Sequence, residues 1–174
     1  MKPDTTTFKP LLPHGDIRQL FPDVFFVTGT NKILYDGSDI QTSRNMTIVR
    51  SGSALTLINT VRLNDEGLQK ISSLGEVKNI VRIGAFHDRD DAFYKHQYPN
   101  AQLWTLIGVS YDDGLVADRT LVAGGEMPFP DCSLFIFEIR FWFQNLFAAG
   151  FLLGLQLFYE RVRVDHYPVL QRLE

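Results

Sequence analysis

The segment ALTLINTV (54–61) is largely apolar on both faces, and this feature constrains the fold more than any other stretch of the chain. Successive side chains of a β-strand point to opposite sides, so Leu55 and Leu57 share one face while Ile58 lies on the other. A strand of this kind is covered on both sides. The segment therefore predicts a strand inside a layered fold rather than on a surface sheet.

The flanking sequence alternates between strand and helix signals. The run DVFFVTGT (23–30) is typical of a strand, whereas NKILYDGSDIQTSRN (31–45) is rich in turn residues and is predicted to be irregular. NMTIVRS (45–51) and ALTLINTV then form a hairpin signal, because Gly52 stands at the link between them.

A helix and a strand follow the hairpin. NDEGLQKISSLG (64–75) predicts a helix that Asn64 caps and Gly75 ends. The later segments predict, in order, a strand at 77–84, a short helix at 90–99, a strand at 101–108 and two further strands in TLVAGG and CSLFIFEI. This order predicts an α/β chain, layered in the α+β manner, with a mixed β-sheet and flanking helices.

The loop GAFHDRDDAFY (84–94) carries the residues with the most chemistry. Four of its side chains are of types that bind zinc, manganese or iron, namely His87, Asp88, Asp90 and Asp91. The structural interpretation is the alternative: Asp90 or Asp91 caps the helix, Arg89 pairs with a neighbouring acid, and the imidazole binds a backbone group.

Composition limits the classes of function. The formal net charge is −3, which argues against nucleic acid as a partner. The N-terminal residues lack the apolar core of a signal peptide. Cys132 is the single cysteine, so an internal disulfide is excluded and a cytoplasmic location is expected. Because no cationic residue adjoins it, a buried and inert thiol is expected.

The order of these elements resembles the N-terminal half of the metallo-β-lactamase fold, in which a hairpin, a helix and a strand precede the motif His-x-His-x-Asp-His. The resemblance covers about residues 23–108, with INTV (58–61) where the family has IDTG. Asn59 thus stands at the position of the family's strand-end aspartate. The loop also resembles a group of unassigned activity whose motif reads approximately FHxxDDxFY.

Set on the metal motif, HDRDDA departs from the family at two positions. His87 falls on the first histidine and Asp91 on the aspartate, whereas Arg89 and Ala92 replace the other two histidines. Arginine stays protonated and has no lone pair to donate. The resemblance therefore implies a degenerate metal site without a two-zinc hydrolytic centre, holding either no cofactor or a single divalent metal, zinc foremost.

The chain is predicted to have three parts. Residues 1–22 form a polar lead-in, 23–140 a truncated metallo-β-lactamase-like domain, and 141–174 an apolar helix with a polar tail. The uncharged run 141–159 approaches the ~20 residues that span a bilayer. A membrane helix, a helix buried against the sheet, and an altered reading frame near Arg140 are the alternatives for this part.

Three hypotheses follow for function. The first is a metallo-β-lactamase-like domain that binds a small ligand or a partner at the 84–94 loop. The second is a single-metal hydrolase that uses His87 and the nearby aspartates, with a bound water as nucleophile. The third is a membrane-attached or dimerising protein that acts through 141–159, which would make it membrane-associated rather than cytoplasmic.

Overall fold

The computed structural model describes residues 8–84, 88–111, 114–134 and 158–160. The strands and helices are, in chain order, β1 (Arg18–Phe21), β2 (Val24–Tyr35), β3 (Ser38–Ser51), β4 (Ala54–Ile58), α1 (Asp65–Leu74), β5 (Glu76–Arg82), α2 (Asp91–Gln97), β6 (Gln102–Leu106), β7 (Arg119–Leu121), β8 (Cys132–Leu134) and β9 (Phe158–Glu160). Within these residues, β1 to β7 form one sheet whose strand order follows the chain, and β8 pairs with β9 separately.

The seven-stranded sheet has an antiparallel half and a parallel half that meet at β4. Strands β1 to β4 pair antiparallel with their neighbours, and β4 to β7 pair parallel. Helix α1 connects β4 to β5, and α2 connects β5 to β6. The predicted α/β fold with a mixed sheet and flanking helices is confirmed. The loops that leave the carboxyl ends of β4, β5 and β6 lie at one edge, where folds of this kind place ligands.

The stretch 31–45 is not irregular, so that prediction is wrong. Strands β2 and β3 pair without interruption from Val24 opposite Val49 to Tyr35 opposite Ser38. The turn itself is confined to Asp36 and Gly37, whose φ angles are 49° and 72°. The outer half of this hairpin is exposed or half-buried on both faces, so it lacks the apolar alternation by which strands are recognised in a sequence.

Strand β4 is covered on both faces, as its sequence predicts. Leu55 and Leu57 are fully buried in a core that includes Ile71 of α1. Ile58 packs on the other face, in a cluster with Trp104 of β6. The two clusters lie on opposite sides of the sheet because side chains alternate along the strand. Layering about β4 therefore fixes the position of the loop that follows it.

Helix α1 has the predicted caps. The Asn64 side-chain oxygen accepts a hydrogen bond from the Gly67 amide at 2.9 Å. Asp65 and Glu66 lie in the first turn, where carboxylates favour the positive end of the helix dipole. The helix ends before Gly75, whose amide donates to the Ile71 carbonyl. Local sequence is sufficient to define this element.

Most of the predicted C-terminal helix lies outside the described residues. The last two residues of the apolar run 141–159 belong to β9, which pairs antiparallel with β8. Among the residues that the structure describes, none forms a helix of the length and hydropathy needed to cross a bilayer. The placement of 141–157, and with it membrane attachment or dimerisation, stays a prediction.

Candidate functional site

The candidate site lies where the loops after β4, β5 and β6 meet. The loop after β4 begins at Asn59, which adopts a left-handed conformation with φ of 54°. Its amide donates to the Val81 carbonyl at 2.8 Å, and its side-chain oxygen accepts from the Ile83 amide at 3.2 Å. Asparagine tolerates this backbone conformation better than most residues. Asn59 therefore joins the ends of β4 and β5 and positions the loops beyond them.

Asp90 forms a buried ion pair with Arg44 of β3. The Arg44 Nη1 atom lies 2.9 Å from Asp90 Oδ2, and the two side chains are 7% and 5% exposed. Arg44 also donates to the Thr60 carbonyl at 3.0 Å, and the Arg62 amide donates to Asp90 at 3.0 Å. Asp90 occupies the cap position of α2, but its side chain makes no cap hydrogen bond. A capping role for the Asp90 side chain is therefore excluded.

Asp91 is fully buried and accepts two hydroxyl hydrogen bonds. The Thr60 hydroxyl donates to Oδ1 at 2.5 Å, and the Tyr111 hydroxyl donates to Oδ2 at 2.8 Å. Each carboxylate oxygen thus has a donor from a different loop. This arrangement satisfies a carboxylate that burial would otherwise leave unpaired.

Burial is the main cause of the shifted pKa values of Asp91 and Tyr111. It raises the pKa of the Asp91 carboxyl from 3.8 to about 6, although the hydroxyls of Thr60 and Tyr111 and the charge of Arg82 oppose the shift. Burial also raises the pKa of Tyr111, and the adjacent Asp91 raises it further. The Arg82 guanidinium lies 4.6 Å from the centre of the Tyr111 ring. The phenol is therefore held neutral as a hydrogen-bond donor to the carboxylate.

Arg89, which falls on the second motif histidine, contacts an acid and a backbone carbonyl. Its Nε atom lies 3.7 Å from Asp90 Oδ1, which confirms the prediction that Arg89 pairs with a neighbouring acid. Its Nη2 atom donates to the Pro10 carbonyl at 2.7 Å. A guanidinium in these contacts offers hydrogen-bond donors and no metal-binding lone pair.

Two other candidate residues have different surroundings. Asp88 is half-buried, and its backbone carbonyl accepts a hydrogen bond from the Asp91 amide at 3.1 Å. His87 lies outside the described residues, so its role as a ligand stays a prediction. Cys132 is half-buried rather than buried, and its thiol donates to the Phe129 carbonyl at 3.1 Å.

The sequence did not indicate several residues of this network. Arg44, Thr60, Arg62 and Tyr111 come from three segments outside the 84–94 loop. The sequence did contain one indication for Arg44: it lies two and four residues before Met46 and Ile48, so its side chain points to the same, buried face of β3. An arginine at an inward-facing position requires an acidic partner in the core.

The described carboxylates do not form a metal-binding cluster. In residues 8–84, 88–111, 114–134 and 158–160, no three or more histidine, cysteine, aspartate or glutamate side chains are arranged to hold a metal ion. The carboxylate of Asp90 instead accepts hydrogen bonds from the Arg44 side chain and the Arg62 amide. The carboxylate of Asp91 accepts from the hydroxyl groups of Thr60 and Tyr111. This set of contacts resembles a hydrogen-bonded core more than a ligand set.

The fold is that of the metallo-β-lactamases over most of the chain. The structure superposes on DIM-1 metallo-β-lactamase with a TM-score of 0.54 and 15% identity, over 73% of this chain and 59% of that one. FIM-1 from Pseudomonas aeruginosa, in its mono-zinc form, gives a TM-score of 0.52 with 14% identity, over 72% of this chain and 59% of FIM-1. TMB-1 gives a TM-score of 0.52 with 12% identity, over 74% and 60%.

These likenesses concern the fold alone, because the identities are low. The chain spans about three fifths of the length of the solved structures that it matches. No protein-family model matches the sequence, and no curated protein matches it either. The predicted resemblance to the metallo-β-lactamase fold is confirmed at the level of structure.

Proposed function

We propose that this metallo-β-lactamase-like domain binds a small ligand or a partner at the 84–94 loop and lacks a two-zinc hydrolytic centre. The observation that carries the proposal is the buried pairing of Asp90 with Arg44 at 2.9 Å. A guanidinium in the core supplies the positive charge that a carboxylate in such a site requires. The Asp90 end of the loop is therefore held in place by an ion pair and a backbone hydrogen bond within the protein.

Asp91, which falls on the motif aspartate, supports the same conclusion. Both of its oxygens accept hydrogen bonds from hydroxyl groups, those of Thr60 and Tyr111. A cation at this fully buried carboxylate would have to fit beside the two hydroxyl groups or displace one of them. Leaving a buried hydroxyl unsatisfied costs about 1–3 kcal/mol.

The donors that a pair of zinc ions would need do not fit this loop. Zinc sites of this type require neutral imidazoles or carboxylates with free lone pairs. Arg89 presents a cation that contacts Asp90 and the Pro10 carbonyl, and Ala92 presents no donor. These residues therefore do not support catalysis by a pair of bound zinc ions.

Metal analysis of the purified full-length chain tests the proposal. After zinc is supplied and excess metal is removed by dialysis, we expect fewer than two zinc ions per chain. The double variant Arg89→His, Ala92→His is the matched comparison, because it returns two imidazoles to the motif. Higher zinc content in this variant would support the proposal, whereas two tightly held ions in the wild-type chain would overturn it.

A single-metal hydrolase is the second candidate, and Asp88 is the observation that favours it. In the part of the chain that the structure describes, the carboxylate of Asp88 has no hydrogen bond or ion pair, unlike those of Asp90 and Asp91. It would act with His87 and the two other aspartates, which would have to release their present partners. His87→Ala should then abolish metal uptake and the hydrolysis of esters or phosphodiesters together. Unchanged metal content in this variant would exclude His87 as a ligand.

A further inference from the structure

Residues 8–15, here called the N-terminal strap, lie against the loops of the candidate site. Backbone bonds tie one end to β2, since the Gly15 amide donates to Thr28 at 2.8 Å and the Thr30 amide donates to Pro13 at 2.9 Å. At the other end, the Phe8 ring packs edge-on against Phe93 of α2, with 5.6 Å between ring centres. The strap thus bridges β2 and α2.

Two guanidinium groups bind consecutive carbonyls of the strap. Arg62 Nη1 donates to the Lys9 carbonyl at 2.7 Å, and Arg89 Nη2 donates to the Pro10 carbonyl at 2.7 Å. The Arg62 guanidinium also lies 4.4 Å from the centre of the Phe93 ring. Two side chains that come from different loops therefore converge on one dipeptide of the strap.

These two arginines carry positive charge that the neighbouring acid does not require. Asp90 is already paired with the buried Arg44 and with the Arg62 amide. Among the described residues, the Arg62 guanidinium has no acidic partner, and Arg89 has only the 3.7 Å contact with Asp90. An anionic oxygen offers a guanidinium a full opposite charge and a paired, bidentate geometry, which a single neutral carbonyl does not. An anion could therefore compete with the strap for both side chains.

We infer that Arg62 and Arg89 form a binding site for a carboxylate or phosphate oxyanion, which the N-terminal strap covers in the absence of ligand. The inference rests on the proposed function, because it names the class of ligand for the same loop. The planar guanidinium matches the paired oxygens of both groups. The ligand exchanges its oxygens for the carbonyls of Lys9 and Pro10, so affinity depends on how readily the strap leaves.

His14 lies at the β2 end of the strap and also attaches the strap to the start of α1. Its Nε2 atom accepts a hydrogen bond from the Asn64 amide at 2.9 Å, and its Nδ1 atom lies 2.8 Å from the Gly15 carbonyl. These two contacts together assign the neutral tautomer with the proton on Nδ1. When the strap leaves, the Asn64 amide loses its acceptor and should exchange faster with solvent.

The test is a calorimetric titration of the full-length chain with inorganic phosphate and, separately, with succinate at fixed ionic strength. Two variants loosen the strap through different contacts, Phe8→Ala and His14→Ala, and the double variant Arg62→Gln, Arg89→Gln removes the site. Arg50→Gln is the control for lost positive charge. Arg50 lies opposite Leu55, at the end of β4 away from the candidate site, and pairs there with the exposed Asp23.

We expect each strap variant to bind the anion about three- to tenfold more tightly than the wild-type chain, the range that the loss of the Phe8 ring contacts with Phe93 and His96, or of the His14 hydrogen bond, supports. The double arginine variant should bind at least about tenfold more weakly, and Arg50→Gln should match the wild type. Saturating anion should also accelerate hydrogen exchange at the Asn64 amide. A response to phosphate alone or to succinate alone would identify the source of the oxyanion.

Failure has a distinct signature. If neither anion binds either strap variant, or if the double arginine variant binds as well as the wild type, the inference is wrong, while the proposal that the domain lacks a two-zinc centre is unaffected. Should anion binding follow the expected order in a chain that holds two zinc ions, the proposed function fails while the anion site stands. Because either strap variant alone suffices, the misfolding of one does not decide the result.

Discussion

Helices α1 and α2 both begin at a residue that is typical of a helix cap, but the two side chains bind different partners. Asn64 accepts from the Gly67 amide at 2.9 Å, as local sequence predicts. Asp90 holds the same position in α2, yet its carboxylate pairs with Arg44, 46 residues away. Capping preference decides the contacts of a side chain at the surface, and a buried opposite charge overrides that preference.

The magnitudes of the two effects explain the difference. A cap contributes about 1 kcal/mol. Removing one partner of a buried ion pair costs about 3–5 kcal/mol, because the other charge stays buried without compensation. The ion pair with Arg44 therefore outweighs the stability that a cap hydrogen bond from the Asp90 side chain would add to α2.

The largest effect is expected for Asp90→Ala, which leaves the buried Arg44 without its carboxylate. The free energy of unfolding should fall by about 3–5 kcal/mol, as measured by urea denaturation. The matched control is Asp65→Ala, which removes an exposed acid from the first turn of α1 and should cost less than about 1 kcal/mol. Equal losses in the two variants would contradict the contrast between the helices.

The second prediction concerns the pH dependence that Asp91 confers. Burial raises the pKa of Asp91 to about 6, so the folded chain binds this proton more tightly than the unfolded chain does. Stability from this group is therefore present at low pH and lost as pH rises through 6. Between pH 4.5 and 7, the free energy of unfolding of the wild type should fall by about 2 kcal/mol relative to that of Asp91→Asn.

Urea denaturation of both proteins at several pH values measures this difference, since titrating groups that the two chains share cancel. The hydrogen bonds lost from Thr60 and Tyr111 shift the variant by a constant amount and leave the slope unaffected. Parallel curves for the two proteins would mean that burial does not raise the pKa of Asp91.

A smaller effect is expected for the cap of α1. Asn64→Ala should lower the free energy of unfolding by about 1 kcal/mol, because the Gly67 amide loses its acceptor. Asn64→Asp should retain stability, since aspartate is an equally good cap. Thermal melting of both variants, followed by circular dichroism, measures the change in stability. A loss as large as that of Asp90→Ala would mean that the Asn64 side chain, like that of Asp90, contributes mainly through contacts outside its own helix.

The smallest effect is expected for Arg89→Gln. Its contact with Asp90 is long, at 3.7 Å, and Asp90 is already paired with Arg44. The lost hydrogen bond to the Pro10 carbonyl adds to this contact, so stability should fall by less than about 1 kcal/mol, whereas Arg44→Gln should cause a loss several times larger in the same urea titration. Comparable losses in the two variants would show that both arginines compensate Asp90.

The sequence predicted those parts of the molecule that depend on neighbours along the chain. Strand β4 and helix α1 were correctly predicted, because Leu55 and Leu57 define a periodicity and Asn64 defines a cap. The outer β2–β3 hairpin was missed because solvent contacts both of its faces. Its pairing follows from the inner half of the same strands, which continues outward to the Asp36 turn.

The candidate site was predicted only in part for a related reason. The 84–94 loop was singled out from its own residues, but the partners of its aspartates are remote in sequence. Thr60 and Tyr111 reach Asp91 from 31 residues before it and 20 residues after it. No local pattern encodes such separations, and the contacts of the N-terminal strap with Arg62 and Arg89 are equally remote.

The separation between Arg44 and Asp90 also bears on how the chain folds. The β2–β3 hairpin closes locally, whereas this ion pair needs β4, α1 and β5 in place before its two members can meet. Contacts between distant residues form slowly, because the entropy of closing the intervening chain must be overcome first. We therefore expect the β2–β3 hairpin to form early in folding. The ion pair between Arg44 and Asp90 should form late, when the parallel half of the sheet assembles.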